Sequence, residues 1–268
     1  MSLRIQNNVE AFNAHRQLSG TSDKLGKAME RLSSGYRINR AADDAAGLAI
    51  SEKLQGQIGG LDQAQRNAQD AISLVQTAEG NLQEVHSMLQ RVRELAVQYK
   101  NGSLSTNDRA AIQSEVNMLG SEVERIGASA QFNGILLLSS AANITFQVGA
   151  QDGEVITVST ISLGASASPT VFQLTATGMD ISEIDAAIDS ISAQRAQFGA
   201  VQNRLEHTVA NLGVAVENLS ASESRIRDTD MASEMVNFTK AQILSQAGTA
   251  MLAQANQAPN SVMSLLRG

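Results

Sequence analysis

Between residues 54 and 99 an apolar side chain returns at every seventh position without a break. Leu54, Leu61, Ala68, Val75, Leu82, Leu89 and Ala96 make one row, and Ala64, Ala71, Ala78, Val85, Val92 and Tyr99 make a second, three residues behind it. Two rows so spaced are the a and d positions of a heptad repeat, the pattern of a helix that lies along another helix. At about 1.5 Å per residue the segment runs about 70 Å, too long for the interior of an ordinary domain, so it needs a partner along most of its length.

A partner exists in the same chain. Ile184, Ile191, Phe198, Leu205, Leu212, Leu219 and Ile226 form another seven-residue row, with Ala187, Val201 and Ala215 in part of a second. Ile112, Val116, Leu119, Val123 and Ile126 predict a third helix over about residues 105–128, cut from the long one by Asn101-Gly102-Ser103. Aromatics are only 3% and there are two prolines, so packing falls to small and aliphatic residues in long uninterrupted helices. The period changes after residue 138. Ile144, Phe146 and Val148 alternate with polar or small residues, Asp152-Gly153 follows, and Val155, Ile156 and Val158 come next. That is a hairpin signal, and Val171 to Leu174 are read as a further strand. The expected fold is mainly α: long heptad-patterned helices in a coiled-coil bundle, with a small β-hairpin region at one end.

The termini pose a separate problem. Residues 1–34 carry Ile5, Phe12, Leu18, Leu25 and Leu32 at near-heptad spacing, and residues 230–257 carry Met231, Met235, Phe238, Leu244, Met251 and Leu252. No surface of the bundle obviously covers either stripe. An amphipathic helix with an uncovered stripe is marginal alone in water, so both are expected to be disordered until a partner surface covers them. Residues 1–40 hold seven Lys/Arg against three Asp/Glu, while residues 180–230 hold four Arg against nine Asp/Glu. Opposite charge in two arms suits protein–protein assembly.

Most chemistry is excluded. The net charge of −7 argues against a nucleic-acid partner, whose phosphates need cations. Without cysteine there is no disulfide, thiol nucleophile or zinc–thiolate site. The longest aliphatic run, Ile135 to Leu138, is far too short for membrane insertion. Met1-Ser2-Leu3-Arg4 leads into polar sequence with no signal-peptide core, so export without a cleaved signal is expected. Gly20 to Lys27 imitates a phosphate loop, but has the wrong spacing and Ala28 where a magnesium-binding hydroxyl belongs. Asp228-Thr229-Asp230 fits a helix cap rather than a calcium loop, since Ala232 and Ser233 break the ligand pattern. Asp43-Asp44 likewise reads as a turn or cap, and His15, His86 and His207 share no metal-binding spacing. No catalytic, metal or cofactor residues are assigned, and no enzyme activity is expected.

Several segments resemble bacterial flagellin. They are Glu30 to Ile50 (Glu30-Arg31-Leu32-Ser33-Ser34-Gly35-Tyr36-Arg37-Ile38-Asn39-Arg40-Ala41-Ala42-Asp43-Asp44-Ala45-Ala46-Gly47-Leu48-Ala49-Ile50), Gln90 to Gln98, Gln131-Phe132-Asn133-Gly134, the opening Ile5-Gln6-Asn7-Asn8 and the closing Ser264-Leu265-Leu266-Arg267. The resemblance implies a subunit that polymerises into the flagellar filament used for swimming, extracellular and exported unfolded through the flagellar secretion channel. It implies five segments: a filament-core helix at 1–40, the N-terminal arm of the bundle at 41–138, a small β-hairpin and loop region at 139–178, the C-terminal arm at 179–228, and a second filament-core helix at 229–268. Residues 139–178 are too few for an outer domain of ordinary size.

From that resemblance and the apolar stripes, the filament-core assembly residues are Ile5, Phe12, Leu18, Leu25, Leu32, Met235, Phe238, Leu244, Met251, Leu252, Leu265 and Leu266. The implied partners are further copies of the subunit, an export chaperone on about residues 230–268, and the filament cap and hook-junction proteins. A host flagellin-sensing Toll-like receptor would meet Gln90, Arg91, Leu95 and Glu115. The switch between filament shapes is expected near 143–160. The alternative reading is a hook–filament junction protein, a minor component that does not form long filaments.

Overall fold

The structure is a computed structural model describing residues 8–163 and 181–267, with side chains described as far as residue 257. Ile5 of the expected assembly residues and the strand expected at Val171 to Leu174 lie outside the described residues, and the side chains of Leu265 and Leu266 lie outside the described side chains.

Among the described residues the elements are α1 (Val9–Ser34), α2 (Ala45–Tyr99), α3 (Thr106–Ser129), β1 (Gln131–Phe132), β2 (Ile135–Leu136), β3 (Asn143–Gln147), β4 (Val155–Ser159), α4 (Ile181–Arg227) and α5 (Met231–Arg267). They group into two compact units. One holds residues 57–217, and the other joins 1–56 to 218–268.

The 57–217 unit is a three-helix bundle whose core follows the heptad rows. Ala68, Val75, Leu82, Leu89 and Ala96 are buried, as are Ala71, Ala78, Val85 and Val92 of the second row. From Val75 onward these residues meet Ile112, Val116 and Val123 of α3 and Ile184, Ile191 and Phe198 of α4 in one cluster. Ion pairs fix the directions. Arg93–Asp185 at 2.6 Å and Arg195–Glu79 at 3.1 Å tie α4 antiparallel to α2. Arg91–Glu115 at 3.0 Å, with Arg109 over the Tyr99 ring, does the same for α3. Gln194 occupies a core position of α4 and is buried, because its Nε2 donates to the Ser159 carbonyl of β4 at 2.8 Å.

Strands β3 and β4 form the expected antiparallel hairpin, paired from Asn143↔Ser159 to Gln147↔Val155. Val148 and Ile156 pack with Ala68, Ala71 and Leu205, which seats the hairpin on α2 and α4. Its turn is longer than an Asp-Gly pair alone requires. Val148 N donates across to the Glu154 carbonyl at 2.9 Å, and Gly153 supplies the left-handed residue, φ 91°. The β1–β2 hairpin, with Asn133 and Gly134 both at positive φ, was not expected from the sequence.

Candidate assembly surface

The terminal helices α1 and α5 pack against each other, antiparallel. The tie points are Asn8 Nδ2 donating to the Ala255 carbonyl at 2.7 Å, Leu18 against Gly248, and Arg31 with Glu234 at 3.8 Å. The sequence had left each terminal stripe without a cover; within the chain each partly covers the other.

The seam is a heptad seam of small residues. On α1 the covered positions are Ala11, Ala14, Leu18, Thr21, Leu25, Ala28 and Leu32; on α5 they are Glu234, Phe238, Ala241, Ser245, Gly248, Leu252 and Ala255. Both sets step by alternating threes and fours, the a/d rhythm of helices packed side by side. Small residues allow close approach: a Cβ at Gly248 would stand 3.1 Å from Leu18 Cδ1. Glu234 is 8% exposed, yet it lies in the first turn of α5, where a carboxylate favours the helix dipole, and faces Arg31.

The expected assembly residues therefore divide. Leu18, Leu25, Leu32, Phe238 and Leu252 lie on the seam between α1 and α5, half-buried. Phe12, Met235, Leu244 and Met251 lie off it and are exposed, Phe12 at 72% and Met251 at 65%. Val9, Met29, Met231, Val236 and Ile243 join them outside; hydrophobic periodicity had assigned no role to Val9, Met29, Val236 or Ile243. On α5, Met235, Val236, Thr239, Lys240, Ile243 and Leu244 line one shallow, mostly apolar groove. Exposed large apolar side chains clustered along one helix mark an interaction surface.

The joints at the inner ends of α1 and α5 are held together. Gly35 ends α1 in the left-handed conformation, φ 77°. The chain then pairs with the α4–α5 corner: Arg37 N donates to the Arg227 carbonyl at 2.7 Å and Thr229 N to the Gly35 carbonyl at 3.0 Å. The Arg227 guanidinium lies 4.5 Å from the Tyr36 ring centre. Asp43 accepts from the backbone N–H of Arg40 and of Asn39, while Asp44 caps α2 by accepting from Gly47 N at 2.9 Å. The Arg40 amide, then that of Asn39, with Lys27 and Arg31 nearby, holds the Asp43 carboxyl below its ordinary value despite some desolvation. Asp230 caps α5 through Ala232 N and Ser233 N. The aspartates read as turn and cap residues serve as turn and caps.

On the bundle, Gln90, Arg91 and Glu115 are exposed, and Arg91 is shared between Glu94 and Glu115. Bonding to Glu115 first, then Glu94, raises the Arg91 pKa further above its ordinary value. Leu95 corrects the sequence reading. It is 2% exposed and packs in the bundle core, so it offers no surface to a receptor. It faces inward because α2 meets both α3 and α4 here, which widens the buried stripe beyond the two heptad rows. No cluster of side chains able to hold a metal is present among the described residues, and no described helix is long and apolar enough to cross a membrane.

Two family models match. The bacterial flagellin N-terminal helical region covers residues 5–143 and the bacterial flagellin C-terminal helical region covers residues 181–266. The chain is 52% identical to a flagellin of Halalkalibacterium halodurans, over 98% of this chain and 99% of that protein. It is 47% identical to a flagellin of Bacillus subtilis, over 99% and 100%, and 48% identical to flagellin FlaB2 of Treponema pallidum, over 98% and 99%. With both helical regions matched and relatives aligned along nearly their whole length, this chain belongs to the bacterial flagellin family, in a short form without a large outer domain.

Proposed function

We infer that the chain is a structural subunit of the bacterial flagellar filament, polymerising with further copies of itself, outside the cell. The observation that carries the mechanism is the exposed apolar face of α5, with Met235, Val236, Ile243, Leu244 and Met251, beside the exposed Phe12 of α1. One chain leaves that face in water. Burial against neighbouring copies would contribute about 1.5–3 kcal/mol per large side chain, before ordering entropy is subtracted. The family is a structural one, and full-length relatives give no support to the hook–filament junction alternative.

The division of labour follows. Residues 1–40 and 229–268 are the filament-core segments, 41–138 and 179–228 the arms of the bundle, and 139–178 the hairpin region. Leu18, Leu25, Leu32, Phe238 and Leu252 hold α1 to α5, and Phe12, Met235, Leu244 and Met251 face neighbours; Ile5, Leu265 and Leu266 extend the same segments. Before export through the secretion channel a chaperone covers about residues 230–268, and cap and hook-junction proteins meet the same ends. Gln90, Arg91 and Glu115 are the surface left to a host receptor once Leu95 is set aside. The exposure of the α5 face supports the chaperone reading, because an apolar helix face carried through the cytoplasm needs a cover.

Electron microscopy of purified chain added to filament seeds tests this. The wild type should lengthen seeds. Leu244→Glu and Met235→Glu should keep the helical circular dichroism of the monomer, because both positions face solvent, and should stop elongation. Elongation at the wild-type rate by the double variant would remove α5 from the interface; failure of the wild type would remove the filament reading.

A further inference from the structure

The chain contains two Asn-Gly pairs, Asn101-Gly102 and Asn133-Gly134. The fold treats them very differently. We propose that Asn101 is a self-modification site, which converts to aspartyl and isoaspartyl through a cyclic imide, while Asn133 is held unreactive by its hairpin.

The chemistry uses only the chain and water. The Gly102 backbone nitrogen, losing its proton, attacks Cγ of Asn101. A Cγ–N bond forms, the Cγ–Nδ2 bond breaks, and the side-chain nitrogen leaves as ammonia, taking up a proton. Water then opens the five-membered imide at either carbonyl. Nothing is oxidised or reduced. Glycine favours the attack because no Cβ obstructs its nitrogen.

Ring closure requires the peptide plane after the asparagine to swing toward the side chain. At Asn133 that plane is clamped. Asn133 and Gly134 sit at φ 49° and 78°, between the paired residues Phe132↔Ile135 and Gln131↔Leu136, with Leu137 N donating to the Ala130 carbonyl at 2.9 Å. Moving it breaks the ladder.

Asn101 lies in the exposed link between α2 and α3, in no ladder. Its Oδ1 already accepts from the Ser103 N–H at 3.3 Å. That contact turns the side chain back along the backbone toward the residues that follow it. The Ser103 N–H also points at the oxygen on which negative charge builds as the nitrogen adds, as preorganised donors do in acyl transfer. The Asn101 N–H donates to the Gln98 carbonyl at 3.0 Å, on the helix side, while the Asn101 carbonyl accepts a longer contact from Arg109 Nη2, 3.4 Å.

The product differs physically from the parent. A carboxylate appears just past the C-terminus of α2, an unfavourable place relative to the helix dipole, but within reach of Arg109. The isoaspartyl form also lengthens the backbone of the link.

Peptide mapping by mass spectrometry tests this on the full-length chain, incubated at mildly alkaline pH. In the native protein conversion at Asn101 should outpace that at Asn133 by about tenfold or more, a barrier difference of about 1.4 kcal/mol. In urea the two rates should converge, since both are then plain Asn-Gly pairs. Gly102→Ala should slow conversion at 101 and leave 133 unchanged. Equal native rates, an Asn101 that stays intact while the denatured chain converts, or a Gly102→Ala chain that converts at the parent rate would each overturn the proposal.

Discussion

Asp43 and Gly47 show how the segment from Glu30 to Ile50 is held at its turn. Gly47 approaches the cap so closely that a Cβ there would lie 2.5 Å from Asp44 Oδ2 and 2.8 Å from Ile38 Cδ1, and Ile38 is fully buried. Any side chain at 47 must therefore shift both the Asp44 carboxylate that caps α2 and the end of the Ile38 side chain beneath it. Asp43 acts through charge: its carboxylate gathers the Arg40 and Asn39 amides, which holds its pKa below the ordinary 3.8. A lowered folded pKa means stability that is present above the unfolded value and is lost as pH falls through the folded one. Asp43→Ala should thus unfold at lower temperature than the parent at neutral pH, and the difference should close on acidification below the usual aspartate range. Carbon NMR of the Asp43 carboxyl should place its midpoint under that range; a midpoint at or above it sinks the argument.

Helix α3 shows what an element owes to its ends. Ser105 Oγ accepts from Asp108 N at 3.3 Å, while the Asp108 carboxylate accepts from Ser105 Oγ at 2.7 Å and Ser105 N at 3.1 Å, a complete capping box. Those bonds, the Ser105 hydroxyl first, hold the Asp108 carboxyl below its ordinary value. Ser105→Ala should cost about 1 kcal/mol in urea unfolding. Asp108→Ala should also lower stability, and the double variant should lose less than the two together, because each residue caps through the other. Additive losses would show that the box is not coupled. The helices themselves were legible, because each heptad row of α2 and α4 faces one continuous core and so repeats without interruption. The β1–β2 hairpin was not: Gln131-Phe132 and Ile135-Leu136 are too short to alternate, and Asn133-Gly134 was its only signal. The α1–α5 seam was half legible. Hydrophobicity marked Leu18, Leu25 and Leu32 as a stripe without naming what covers it, and the seam also runs through Ala11, Ala14, Ala28, Ala241 and Gly248, which carry too little apolar surface to mark one. The large side chains of Phe12 and Met235 face away from it.

Across the whole molecule the buried apolar core is divided very unevenly. Among the described residues only Ala28, Ile38 and Ala241 are buried hydrophobics of the unit formed by 1–56 and 218–268; all the others belong to 57–217. Two helices as long as α1 and α5 lose far more conformational entropy than their two buried alanines and a half-buried seam offset, since fixing each backbone residue costs about 1–2 kcal/mol. On that balance we propose that the order of the terminal pair depends on neighbours, while the 57–217 unit stands on its own core. Deleting residues 1–30 and 240–268 should leave a soluble helical protein that unfolds cooperatively near the parent's main transition, yet neither polymerises nor lengthens seeds. Hydrogen exchange on the intact monomer should agree, with fast exchange along α1 and α5, slow exchange at Val75 to Val92, and protection of the terminal helices appearing only in filaments. Slow exchange of α1 and α5 already in the monomer would mean that the seam suffices alone, and that assembly joins helices formed beforehand rather than ordering them.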